Sequence, residues 1–220
     1  MKAVLFDLDN TLMDFVRMKT AACEATIDAM KGAGLKASKA KAKKDLYGIY
    51  KERGIEYQRV FQKLLRKLEG KVDYKILAAG VVAYREAKES TMLTYPGVKM
   101  TLAALRKRGY KLGVVSNAPS LQAWTRLVEL GLQDGFDVVV TPGDVRRKKP
   151  SALPYKAALK ALKAKPTDVI MVGDDPKRDI MPAKRLGMTT VLARYGVTRK
   201  YPGKANYEIR KFSGLLKIAK

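Results

Sequence analysis

Histidine is absent from the 220 residues, and cysteine occurs once, at Cys23. Without imidazole there is no Ser-His-Asp or Cys-His nucleophilic system, no His-based zinc site and no histidine acid or base. A single cysteine allows neither an intrachain disulfide nor a thiolate metal cluster. The Ala-rich helical neighbourhood of Cys23 assigns it to packing. Long apolar runs are missing as well: none approaches the roughly 18–20 residues of a membrane span. The N-terminus enters a strand directly, with no signal-peptide pattern, so a cytoplasmic location and no membrane partner are expected. Acidic residues are outnumbered, 21 against 45 Lys and Arg, for a formal charge of +24. A field of that sign concentrates anions, nucleic acid included. The lysines, however, are spread over many helices without aromatic interleaving or a nucleic-acid motif. That distribution reads as solvated helix faces in preference to a nucleic-acid surface. Any catalysis must therefore use carboxylates, lysine, hydroxyls or a metal.

What the chain does contain is concentrated at its start. Residues 4–12 read Val-Leu-Phe-Asp-Leu-Asp-Asn-Thr-Leu, an apolar strand running into two aspartates one residue apart. Successive strand side chains alternate faces, so Asp7 and Asp9 project the same way if strand geometry holds. Two carboxylates this close repel each other unless a proton or cation lies between them. With only oxygen ligands on offer, the cation is a hard one.

The rest of the chain divides by composition. Residues 15–92 are rich in Ala, Lys, Leu, Glu and Arg and poor in β-branched runs, which predicts four helices near 16–31, 38–53, 55–69 and 73–89. After Tyr95-Pro96-Gly97 short apolar strands alternate with helices. Strands are expected at 111–116, 137–141, 169–172 and 190–193. Helices are expected at 98–108, 119–130, 153–164 and 178–186, three of them stopping at Gly109, Gly131 and Gly187. Such alternation is the mark of a parallel sheet covered on both faces. The expected fold is α/β: a Rossmann-like core of residues 1–14 and 93–220, interrupted after its first strand by an all-helical domain, 15–92. Trp124, Tyr47 and Tyr50 read as packing residues.

Four strand ends of such a sheet would deliver polar groups to one edge, where ligands of open α/β sheets bind. They carry Asp7, Asp9 and Thr11; Ser116 and Asn117; Lys149, ahead of Pro150; and Asp174 and Asp175, with Asp179 just beyond. Nine of the 21 acidic residues lie in 15–92, and five of the remaining twelve are these aspartates. In so basic a chain, surface solvation does not account for that clustering. The residue types suit phosphoryl transfer: a carboxylate nucleophile, a second carboxylate as acid and base, Mg²⁺ against the charge, and a hydroxyl and lysine on the phosphoryl oxygens.

Four motifs in order resemble those of the haloacid dehalogenase superfamily, on its phosphatase side. Asp7-Leu8-Asp9-Asn10-Thr11 matches Asp-x-Asp-x-Thr, Val114-Val115-Ser116-Asn117 the strand ending in Ser or Thr, Lys149-Pro150 the lysine motif, and Gly173-Asp174-Asp175 with Asp179 the acidic motif. The helical stretch resembles the family's small helical, C1-type cap, hinged near residues 14–16 and 91–96. The resemblance implies Asp7 as nucleophile and Mg²⁺ ligand, and Asp9 as general acid and base whose main-chain carbonyl faces the metal. It implies Thr11 supporting the loop and the phosphate site, Ser116 and Asn117 on phosphate, and Lys149 neutralising phosphate and nucleophile. Asp174 is the implied direct metal ligand, with Asp179 or Asp175 assisting or exchanging with it. Dehalogenating relatives lack an aspartate two positions after the nucleophile, so Asp9 favours a small soluble phosphomonoester, such as glyceraldehyde 3-phosphate or phosphoglycolate. Two alternatives stand beside this: a phosphosugar mutase of the same fold, and a basic nucleic-acid-binding protein with an idle site.

Overall fold

In the computed structural model, which describes residues 2–197 and 204–219, the chain separates into two units. One comprises Met1–Phe15 and Leu93–Lys220, the other Val16–Met92.

The first unit is built on a six-stranded sheet. Its strands are β1 (Ala3–Phe6), β2 (Lys111–Val115), β3 (Val138–Val140), β4 (Val169–Gly173), β5 (Thr189–Ala193) and β6 (Tyr207–Ile209), in the spatial order β3-β2-β1-β4-β5-β6. Every pairing is parallel. β1 is central and buried along its whole length. That is why it reads Ala-Val-Leu-Phe rather than alternating: a central parallel strand meets apolar cover on both faces. On one face Leu5, Val115 and Met171 pack with Tyr155, Ala158 and Leu162; on the other the Phe6 ring stacks on Phe212 at 5.7 Å. The chain leaves β1 toward β2 and β3, then crosses back to β4. The order of strands therefore reverses between β1 and β4, and the crevice at their carboxyl ends is where such sheets bind ligands.

The strand expectations hold to within a residue or two at each end, and β6 is additional. Tyr207-Glu208-Ile209 is a short edge strand, largely exposed, and carries no apolar run for periodicity to detect. Thr141-Pro142-Gly143-Asp144 opens a short helix, also unexpected, whose start is closed by a capping box between Thr141 and Asp144. The helix expected at 178–186 starts earlier, as a π turn over Pro176–Ile180 followed by an α segment, Met181–Arg185. Trp124 is a correction to the packing expectation. It is 43% exposed on the helix Ser120–Glu129, beside exposed Leu121 and Val128.

The second unit is helical: α1 (Phe15–Gly32, entered from the first unit), α2 (Lys39–Arg53), α3 (Val60–Glu69) and α4 (Tyr74–Thr91). α3 begins five residues later than expected. Ser38 and Asp73 cap α2 and α4 by accepting backbone N–H bonds. Cys23, Ile27, Met30, Leu46, Leu64 and Leu77 form its core, with Tyr50 buried and Tyr47 packed against them. Within it the Lys19 ammonium donates to the Tyr84 hydroxyl at 2.9 Å and lies 4.4 Å from the Tyr50 ring centre. Among the described residues no helix is long and apolar enough to cross a membrane.

Candidate active site

Asp7 stands one residue past β1, and its N–H still donates to Val172 O at 2.9 Å, so the β4 ladder fixes the backbone that carries it. Asp174 stands one residue past β4. The two carboxylates thus meet across the β1–β4 crevice, and Asp179 joins them from the π turn. One oxygen from each of Asp7, Asp174 and Asp179 lies within 4.8 Å of the other two, and all three residues are buried. Gly173 makes the approach of Asp179 feasible: a Cβ there would fall 2.4 Å from Asp179 Cβ.

Lys149 is the counter-charge. Its side chain is 2% exposed, and Nζ lies 2.6 Å from Asp7 Oδ1 and 2.7 Å from Asp179 Oδ1. Burial pushes this ammonium down, but the charges of Asp179 and Asp7 and their hydrogen bonds outweigh it, and the net shift is upward. Three carboxylates against one ammonium leave a deficit of two positive charges in a buried site. Asp174 shows the consequence: burial first, then the charges of Asp7 and Asp179, push its carboxyl up to about 9. Asp179 is pushed up to about 6, chiefly by burial, with Lys149 opposing. The donor set is all oxygen and short of two charges, which suits a hard divalent cation.

The surrounding residues hold this arrangement. Thr11 is fully buried, with Oγ1 3.5 Å from both Asp7 Oδ2 and Asp174 Oδ1. Ser116 Oγ, at the end of β2, accepts from Ala118 N at 3.1 Å. Asn117 clamps the lysine loop from both sides: Nδ2 donates to Lys149 O at 3.0 Å, and Lys149 N donates to Oδ1 at 2.7 Å. Both ends of that amide thus bond to the Lys149 backbone.

Asp175 turns away from the cluster. Its carboxylate accepts from Lys177 N, Arg178 N and Arg178 Nε. Burial pushes its pKa up, but these bonds and the Arg178 charge leave it below the usual value. Of the two acids expected to assist Asp174, Asp179 is the one brought to it. Asp9 has a partner outside the cluster, its Oδ2 accepting from Arg126 Nη1 at 2.9 Å.

Residues 4–193 match the model of the haloacid dehalogenase-like hydrolase family. The chain belongs to that family. The glyceraldehyde 3-phosphate phosphatase of Pyrococcus furiosus is 34% identical, over 99% of this chain and 92% of its own length. A phosphoglycolate phosphatase of Neisseria meningitidis is 32% identical, over 89% of this chain and 81% of its own. A crystal structure of a phosphatase of this superfamily from Thermococcus onnurineus superposes with a TM-score of 0.72 at 30% identity, covering 99% of this chain and 97% of that one.

In this haloacid dehalogenase-like chain, four contributing residues lie outside the sequence motifs. Arg126, on the helix Ser120–Glu129, reaches Asp9 across 117 positions of sequence. The Tyr155 hydroxyl donates to Arg178 O and steadies the π turn from behind. Tyr195 and Gly196, just past β5, support the first loop: Tyr195 OH donates to Thr11 O at 3.0 Å, and a Cβ at Gly196 would fall 1.6 Å from Asn10 O. No local pattern marks these residues, because each acts on a segment distant in the chain. Asn10 itself holds φ 59°, the left-handed turn that carries the chain from Asp9 to Thr11. Gly196→Ala is therefore expected to displace that turn. Overpacking of this kind costs about 1–3 kcal/mol, and phosphate release should fall at least about tenfold through the shifted loop. Thermal melting together with kcat checks this; an unchanged kcat would show that the loop does not depend on the contact.

Proposed function

We propose that the chain is a Mg²⁺-dependent phosphatase that hydrolyses a small phosphomonoester through an aspartyl-phosphate at Asp7. The observation carrying this reading is the buried Asp7–Lys149–Asp179–Asp174 cluster at the β1–β4 switch point. Glyceraldehyde 3-phosphate, for which the Pyrococcus relative is named, is the first substrate to test, and phosphoglycolate the second. Residues 15–92 are assigned the role of a cap that selects the substrate.

In the first step an Asp7 carboxylate oxygen attacks phosphorus and the ester P–O bond breaks. Asp9 delivers a proton to the departing alkoxide. In the second step Asp9 takes a proton from water as the water oxygen attacks phosphorus. The bond from phosphorus to Asp7 then breaks, and inorganic phosphate leaves. Lys149 holds Asp7 in place and offers its charge to the phosphoryl oxygens. The Ser116 hydroxyl can donate to a phosphoryl oxygen while Oγ keeps its bond from Ala118 N. Asn117 serves by positioning Lys149, Thr11 by bridging Asp7 and Asp174, and Asp175 by fixing the turn that brings Asp179 inward. Asp7, Asp174 and Asp179 are the side chains that would hold Mg²⁺, which when bound supplies the missing positive charge.

The test is Mg²⁺-dependent release of phosphate from a panel of short-chain phosphate esters, with alcohol and phosphate formed in equal amounts. Phosphate moving instead to a second sugar phosphate would replace the hydrolase reading with a mutase. Turnover of none of the panel would overturn both.

The metal assignment has a pH signature. With the Asp174 carboxyl pushed up to about 9 by burial and its neighbours, binding the cation displaces a proton. Mg²⁺ affinity should therefore rise by up to about tenfold per pH unit between about pH 6 and about pH 9. Calorimetric titration in buffers of different ionisation enthalpy reads the released proton directly. An affinity independent of pH would show that the Asp174 carboxyl is already ionised in the metal-free site.

A further inference from the structure

Arg126 belongs to none of the four motifs, yet it is only 4% exposed. Its guanidinium lies over the Phe15 ring, with the central carbon 4.6 Å from the centroid, while Nη1 reaches Asp9 Oδ2 at 2.9 Å. One face of the guanidinium is thus on an apolar ring and one edge on a carboxylate. A buried guanidinium is retained only where charge-assisted bonds compensate its lost hydration, so this is not a solvated surface pair. Asp9 is the less confined partner: its side chain is 25% exposed against 5% for Arg126. It also sits on a turn, next to Asn10 at φ 59°. The helix carrying Arg126 starts just after the Ser116-Asn117 loop, so the β2 connection reaches back over the β1 loop.

The geometry points to Arg126 as a positioning residue that fixes the Asp9 carboxylate for proton transfer to the leaving group. The inference rests on the phosphatase reading, in which Asp9 carries that proton. Arg126 acts through Asp9 and does not itself touch the phosphoryl group. The requirement is geometric: a proton carrier must lie within hydrogen-bond reach of the oxygen it serves. A partly exposed carboxylate on a turn samples other rotamers unless something holds one of its oxygens. The Phe15 ring performs the same service for Arg126, closing the face on which the guanidinium could swing away.

The test compares an alkyl phosphate, whose leaving oxygen needs a proton, with an aryl phosphate, whose phenolate departs without one. The quantity read is kcat/KM at saturating Mg²⁺, which reports the first phosphoryl transfer. For the alkyl ester, Arg126→Met is expected to lower kcat/KM by about tenfold to a hundredfold, the scale of misplacing a catalytic group by an ångström. For the aryl ester the loss should be about threefold or less, since little is asked of the acid there. Arg126→Lys keeps the cation and should recover part of the alkyl activity. In an Asp9→Asn background, Arg126→Met should add no further loss, because the group it positions is already disabled.

Equal losses on the two esters, or full additivity with Asp9→Asn, would show Arg126 to be a packing residue and overturn the inference. Melting curves establish which variants fold; if Arg126→Met does not, Arg126→Gln replaces it in the alkyl-to-aryl comparison, with the same selective loss expected. A wild-type protein inert toward both esters would instead bring down the phosphatase reading beneath it.

Discussion

Asp7→Asn is expected to lower Mg²⁺-dependent phosphate release at least about a thousandfold, equivalent to about 4 kcal/mol of transition-state stabilisation. The substitution is nearly isosteric, and the amide oxygen can still accept from Lys149 Nζ, which lies 2.6 Å from Asp7 Oδ1. What disappears is the anionic nucleophile. A buried negative charge goes with it, and with it part of the repulsion that helps push Asp174 up to about 9. The metal-free variant should therefore be at least as stable as the wild type while being inactive, which separates chemistry from folding. Acid quenching during turnover of a phosphate-labelled ester should trap phosphoprotein in the wild type and none in Asp7→Asn. Undiminished turnover in the variant would exclude attack by Asp7.

Lys149→Met should impair both activity and stability. Its ammonium contacts Asp7 and Asp179 in an interior that admits almost no water. Removing one partner of a buried ion pair costs about 3–5 kcal/mol, because the carboxylates left behind are uncompensated. The loss has a pH sign. Asp174 and Asp179 already stand above the ordinary carboxylate value, at about 9 and about 6. A group whose pKa is raised on folding contributes stability below its unfolded pKa and loses it as pH rises toward the folded one. Without the Lys149 charge that holds it down, the Asp179 carboxyl rises further, so the gap in melting temperature between variant and wild type should widen from pH 5 to pH 8. Turnover should fall at least about a hundredfold, the cost of losing a preorganised charge in the site. A melting temperature unchanged at pH 8 would contradict the buried triad, and full turnover would contradict the role of Lys149.

Much of this was legible in the sequence because the signals are local. The apolar run before Asp7 read as a strand ending in chemistry, and the structure buries Ala3–Phe6 as a central strand with cover on both faces. Alternating strands and helices between residues 98 and 193 specified the sheet, and the absence of histidine and of a second cysteine narrowed the chemistry to carboxylates, lysine and a hard cation. β6 escaped because a three-residue, mostly exposed edge strand has no apolar period to read.

The choice among like groups was another matter. Asp175 and Asp179 offer the same carboxylate, and spacing left them interchangeable. A π turn over Pro176–Ile180, with bare backbone at Gly173, sends Asp179 inward and leaves Asp175 to Arg178. Asn117 became a clamp on Lys149, and Asp9 acquired Arg126, through contacts spanning 32 and 117 residues. The sequence by itself determined the strand that carries Asp7, the reaction type it suits and the family, because backbone pattern and residue chemistry are properties of short segments. Only the tertiary structure decided which acids share the buried site and what orients Asp9. Those depend on distances between segments far apart in the chain, and on the charge balance that exists once they are brought together.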